Sequence, residues 1–233
     1  MDIALFSVDG LQFIFRWIHF LAGVAWIGLL YYFNFVQGEF FKEIEAGPKN
    51  IAISKLVPRA LFWFRWSAMF TFISGVVILG MKGHGGGAEI FKTSWGITIL
   101  VGATLGTLMF LNVWLIIWPN QKIVIASTQD VLAGKPANPA AAAAGAKALL
   151  ASRTNVCFSI PMLFFMGAAS HLPLTVGENF NCGLLTALLV LVIGGIELNT
   201  IKGKLGPLTT IKGVIHCGLG LAVVLYAILE VVL

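Results

Sequence analysis

Charge is scarce in this sequence: 10 acidic and 15 basic residues make up 11% of its 233 positions, where a soluble domain carries about 25%. Cysteine is rarer still. Cys157, Cys182 and Cys217 are its 3 cysteines, and none belongs to a CxxC or CxxCH pattern. That excludes a disulfide scaffold, a zinc knuckle and a c-type haem attachment site, and leaves the cysteines as core filling. The basic residues are spread along the chain, so the net charge of +5 is no nucleic-acid footprint. Apolar side chains are what abounds: they make up 58% of the sequence, with a mean hydropathy of +0.93. Neither a disordered chain nor a cytosolic globule has that composition. The sequence reads as an integral membrane protein.

About 20 mainly apolar residues cross the hydrocarbon core as a helix. Six stretches qualify, at 11–36, 58–81, 94–118, 153–172, 182–198 and 208–232. The expected fold is all-α, a single polytopic transmembrane domain over 1–233. The runs lack the period of two that a membrane β-barrel imposes. Asp2 and Asp9 stand where a cleavable signal peptide would carry lysine. Basic residues gather in alternate loops: Lys42, Lys49, Lys55 and Arg59; then Lys122, Lys135, Lys147 and Arg153; then Lys202, Lys204 and Lys212. The other loops hold Lys82 and Lys92. The positive-inside rule therefore places both termini outside.

Between the spans, Phe40–Val57 mixes Phe41, Ile44, Ile51 and Ile53 with charges and is expected to lie as an amphipathic helix at the inner interface. Residues 121–150 combine Lys135-Pro136-Ala137-Asn138-Pro139 with an alanine run. They predict a turn followed by an extension of the fourth span. Lys82–Gly87 reads as a flexible glycine turn, with His84 solvated. Gly102 and Gly106 have the spacing of close helix packing. No internal repeat is evident, which counts against an inverted-repeat transporter.

Ionisable groups inside spans are functional hypotheses by default. In the first span Arg16, His19, Gly23 and Trp26 share a helical face. An imidazole one turn from a glycine suits haem: the ring ligates iron, and the missing side chain admits the macrocycle. Gly213, His216 and Gly220 repeat the pattern in the sixth span, and Gly167, Ala168 and His171 close the fourth. His19 and His171 have similar depth, about 12 Å for His19 at 1.5 Å per residue. His216 lies only a few ångströms off that level, so pairing with His216, or a second haem on it, stays open. Arg16 and Arg65 lack an evident acidic partner; each either meets a haem propionate or snorkels to an interface. Glu197 and Glu230 read as interfacial. Trp63, Trp66, Trp95, Trp114 and Trp118 read as an aromatic belt.

Three blocks carry a resemblance: RWIHFLAGVAWIGLLYYFNF at 16–35, LNVWLIIWPNQK at 111–122, and ASRTN with SIPMLFFMGAASH along 151–171. They resemble the N-terminal membrane domain of the cytochrome-c-linked bacterial urate oxidases. The tryptophan-and-histidine first helix is more distantly similar to copper-resistance membrane proteins and the transmembrane protoporphyrinogen oxidase. The resemblance implies a helical bundle in the bacterial inner membrane holding haem b, one group or two, with His19 as iron ligand and His171 in the matching fourth-span block. Those urate oxidases carry a C-terminal cytochrome c domain whose CxxCH motif is missing here. The implied electron exit is therefore a separate cytochrome c or another membrane subunit, in a complex or a homo-oligomer.

Three functions follow as expectations. The first is a haem-b protein passing electrons to a periplasmic cytochrome, with His19, His171, His216, Arg16, Arg65, Gly23 and Gly220 as candidate cofactor residues. The second is a urate-oxidising enzyme served by a separate cytochrome c. The third is a cofactor-free accessory subunit of a larger respiratory or oxygenase complex. A transporter is weaker, for want of paired intramembrane carboxylates.

Overall fold

A computed structural model describes residues 4–177 and 180–233. Asp2 lies outside them. Among the described residues there is no strand, and six helices are long and apolar enough to cross a membrane. They are α1 (Val8–Glu43), α2 (Ala46–Gly86), α3 (Ser94–Leu132), α4 (Ala141–His171), α5 (Cys182–Lys202) and α6 (Ile211–Val232). The chain is a multi-pass membrane protein whose apolar helices meet the lipid bilayer.

Local chemistry sets the helix ends. Ser7, Thr93, Asn181 and Thr210 precede α1, α3, α5 and α6, and each accepts a hydrogen bond from the backbone N–H three residues on. Gly87 and Gly134 end α2 and α3 with positive φ, at 69° and 77°. Ile44 and Glu45 turn extended between α1 and α2.

Several loop expectations change. The basic stretch 40–57 is no separate interfacial helix: its residues finish α1 and begin α2, which runs unbroken through Pro58. Lys82–Gly86 is the last turn of α2 rather than a glycine loop, and His84 is exposed on it. The fourth span does extend back, to Ala141, and α3 also continues to Leu132. Arg153 is no loop charge: it is buried inside α4.

α4 is the central helix. Its apolar window is 67% buried, against 11% for α1. It packs against α3, α5 and α6 and touches α1, while α2 packs on α1 and α3. Gly102 of α3 admits the α4 backbone, since a Cβ there would stand 3.3 Å from the Met166 nitrogen. On the other side, Pro161 has no N–H to return to the carbonyl of Cys157, four residues back. That oxygen faces α6 at Gly218, where a Cβ would lie 3.0 Å from it and 2.5 Å from Ile160 Cδ1.

Three helices carry wide π turns, at Tyr32–Gln37, Asn112–Ile117 and Val190–Gly194. Such turns shift the side-chain register and occur often at functional sites. The second turn runs straight into Trp118-Pro119, whose proline removes a further helical N–H.

Candidate functional site

Two polar groupings stand inside this apolar bundle. The first joins α1 to α2. Ser67, Thr71 and Ser74 form a buried stripe of small polar residues along α2 at i, i+4, i+7. Their hydroxyls donate to carbonyls three and four residues back. His19 of α1 meets that stripe. Its Nδ1 lies 2.9 Å from the Thr71 carbonyl oxygen and 3.2 Å from Ser74 Oγ.

A carbonyl accepts and cannot donate, so this contact puts the imidazole proton on Nδ1 and leaves the Nε2 lone pair unused. No hydrogen bond to Nε2 is found among the described residues. The ring is half-buried and lies against Gly75, where a Cβ would come within 3.1 Å of His19 Cε1. Gly23 lies one turn along α1, also facing α2: a Cβ there would touch Thr71 Cγ2 at 3.8 Å.

The second grouping surrounds α4. Ser152, Asn155 and Ser159 share one face at i, i+3, i+7. Tyr31 and Ser159 exchange a hydrogen bond at 2.9 Å, and Asn34 donates to Ser152 Oγ at 2.8 Å. Asn112 of α3 donates to Asn155 Oδ1 at 3.0 Å and to Glu197 Oε2 of α5 at 3.1 Å. Asn155 in turn donates to the Met109 carbonyl at 2.9 Å, and Thr200 to Thr154 at 2.8 Å. Asn34 and Asn112 sit in π turns and Glu197 stands three residues past one. Two wide turns thus carry the amides of Asn34 and Asn112 to α4, and the third precedes the carboxylate that accepts from Asn112. Glu197, expected only as an interfacial charge, is also one corner of a junction of three helices.

The other expected residues are dispersed. His171 is the last residue of α4 and exposed; His216 is exposed on α6, and a Cβ on Gly220 would meet nothing within 4 Å. Arg16 is exposed, with Nη2 3.4 Å from Gln12 Oε1. Arg65 is half-buried, its guanidinium carbon 3.8 Å from the Trp118 ring centroid, so Trp118 has a local partner beyond any belt. Trp66 and Trp114 pack edge to face at 5.6 Å. Cys157 is buried as expected of core filling, Cys217 is half-buried, and Cys182 is exposed. Among the described residues no three His, Cys, Asp or Glu side chains gather as a metal site would require. A groove of about 420 Å³ between α3 and α5 is lined by apolar residues such as Leu100, Val101, Leu185, Leu189 and Ile193, and no histidine lines it.

The residue-level reading missed the second grouping and the carbonyl partner of His19. The signal for the second grouping was the stripe of Ser152, Asn155 and Ser159 on one face of α4; a backbone carbonyl leaves none.

A family model described as urate oxidase N-terminal matches residues 87–202, from the end of α2 through α5. The Asn112–Asn155–Glu197 junction and Arg153 fall inside the match; His19 precedes it. Comparison with curated proteins finds no match, and comparison with solved structures finds none.

Proposed function

We propose, from the premise that the chain belongs to the urate oxidase N-terminal family through residues 87–202, that it is a membrane haem-b protein passing electrons to a periplasmic cytochrome. One observation carries the reading: the Nδ1–H of His19 is committed to the Thr71 carbonyl at 2.9 Å, leaving Nε2 as a ligand. Metal-ligating histidines typically donate their other N–H to a carbonyl or carboxylate, which fixes tautomer and ring plane and raises basicity. His19 would therefore suit as one protein ligand to a haem iron. No second imidazole joins His19 among the described residues, so His171 and His216 stay candidates for a sixth ligand or a second site, and another subunit could supply one.

Bound haem b would supply one-electron chemistry tuned by its axial ligand and its burial. The chain's own part is to hold that ligand. Thr71 and Ser74 orient the imidazole, and Gly75 leaves room for its face. Arg16, three residues before His19 and on the same face, is exposed and keeps donors beyond the one on Gln12 to meet a propionate. Arg65 is already occupied by the Trp118 face and is the weaker candidate for that role.

The basic loops support both termini outside the bacterial inner membrane, which favours an acceptor on the periplasmic side. The family match also supports a second reading, that the protein oxidises urate itself and hands the electrons to a separate cytochrome c. Haem content per chain in His19→Ala, His171→Ala and His216→Ala tests the assignment. His19→Ala should lose at least half of its haem while still inserting. Unchanged haem in His19→Ala refutes its role as ligand, and haem-free, well-folded wild-type protein leaves the accessory-subunit reading in its place.

A further inference from the structure

Two cations from two helices share the ring of Trp118. The Arg65 guanidinium carbon of α2 lies 3.8 Å from the ring centroid. Lys122, one turn past Trp118 on α3, brings its Nζ to 5.6 Å from the same centroid. Among the described residues no carboxylate pairs with either cation; the ion pairs there join Lys42 and Arg153 to Glu39, Lys92 to Glu89 and Lys135 to Asp130. Arg65 is half-buried and Lys122 exposed.

An aromatic face attracts a cation but carries no net charge. Trp118 therefore holds two positive charges together without neutralising them. A guanidinium laid over a ring keeps its N–H donors, which lie in its own plane and point away from the stack. Arg65 thus offers a planar fork beside an ammonium, a donor set that phosphate oxygens match.

Position says where such a phosphate comes from. Trp118 closes the third span at the end of the bundle that carries Lys55 and Arg59. Arg65 is seven residues into the second span, about 10 Å at 1.5 Å per residue, and its side chain meets the ring at that closing level. Toward the middle of the membrane, Trp66 and Phe70 of α2 and Leu115 of α3 are exposed apolar residues. Trp66 packs on Trp114 of α3 and against Phe70, so the apolar surface is continuous from one helix to the other. A free anion has no use for that surface, whereas acyl chains do. A choline or ethanolamine headgroup would bring a cation of its own to a place that already has two.

We propose that Arg65 and Lys122, gathered on Trp118, hold the headgroup phosphate of an anionic phospholipid at the basic end of the bundle. Its acyl chains lie along Trp66, Phe70 and Leu115.

Native mass spectrometry of the delipidated full chain in detergent tests this, with titrations of dioleoyl phosphatidylglycerol and dioleoyl phosphatidylcholine. Wild type should bind one phosphatidylglycerol about ten-fold more tightly than phosphatidylcholine. Arg65→Gln combined with Lys122→Gln should erase the preference. Arg65→Lys, which keeps the charge and loses the fork, should weaken phosphatidylglycerol binding several-fold. Lys202→Gln combined with Lys204→Gln removes the same charge from another basic loop and should change nothing. Haem content should match wild type in every variant.

Equal affinity for the two lipids in wild type overturns the proposal, as does an unchanged preference in the Arg65→Gln, Lys122→Gln chain. A preference lost equally in the Lys202→Gln, Lys204→Gln chain also overturns it, because the attraction would then be diffuse. Displacement of the lipid by equimolar inorganic phosphate would make this a free-anion site and overturn the lipid assignment. Loss of haem in Arg65→Lys would give the fork to a propionate instead. Should the Arg65 variants fail to fold, Lys122→Gln alone decides: the preference should fall several-fold, and an unchanged one overturns the proposal.

Discussion

His19 and Thr71 are joined across α1 and α2 by a 2.9 Å contact from imidazole Nδ1 to a backbone carbonyl. The Thr71 carbonyl needs no particular side chain, so the proton position survives many substitutions at that residue. Space is the more sensitive variable.

Gly75 sets that space. Gly75→Val would drive methyl groups into a ring already 3.1 Å from where a Cβ would sit. Haem affinity should fall about 10- to 100-fold, as when a metal ligand loses its oriented support. Thr71→Val, which keeps the carbonyl, should retain haem. Haem titration of the two purified variants checks the contrast.

The junction of α3, α4 and α5 depends on one amide. Asn112→Leu leaves Asn155 Oδ1 and Glu197 Oε2 without their donor, and should cost about 1 kcal/mol or more. Glu197→Gln still accepts from Asn112 and should cost less. Thermal unfolding in detergent, read by circular dichroism, ranks the two variants.

At the α4–α6 contact, a Cβ on Gly218 meets Ile160 and the carbonyl that Pro161 sets free. Gly218→Val should destabilise the protein by about 1–3 kcal/mol through overpacking. Gly220→Ala, in open space, should leave stability unchanged. If Gly220→Ala nonetheless lowers haem content, the macrocycle approaches α6 and His216 gains weight as a ligand.

Arg65 lies over Trp118. Arg65→Ala should lose about 0.5–1 kcal/mol of cation–π attraction and leave haem content intact. A large loss of haem in that variant would instead place a propionate there.

Hydropathy made all six spans legible, because a helix crossing hydrocarbon must be apolar whatever it packs against. Polar position was harder to read. Arg153 follows a long polar connection and reads as a loop charge, yet the helix starts twelve residues earlier and carries it into the core. The glycines of Lys82–Gly86 signalled a turn, but α2 continues through them to the positive φ of Gly87. His19 was found from its own helix alone. Its partner was not, since a backbone carbonyl has no sequence signature and Ser67, Thr71 and Ser74 are individually ordinary. Nor does hydropathy register a π turn, so the two that bring Asn34 and Asn112 to α4 are out of its reach.

The most direct test is a reduced-minus-oxidised visible spectrum of the detergent-purified protein, with pyridine haemochrome quantitation. A haem-b α band and about one haem per chain, bound through an imidazole, are expected. A flat spectrum from folded, haem-supplied protein would contradict it.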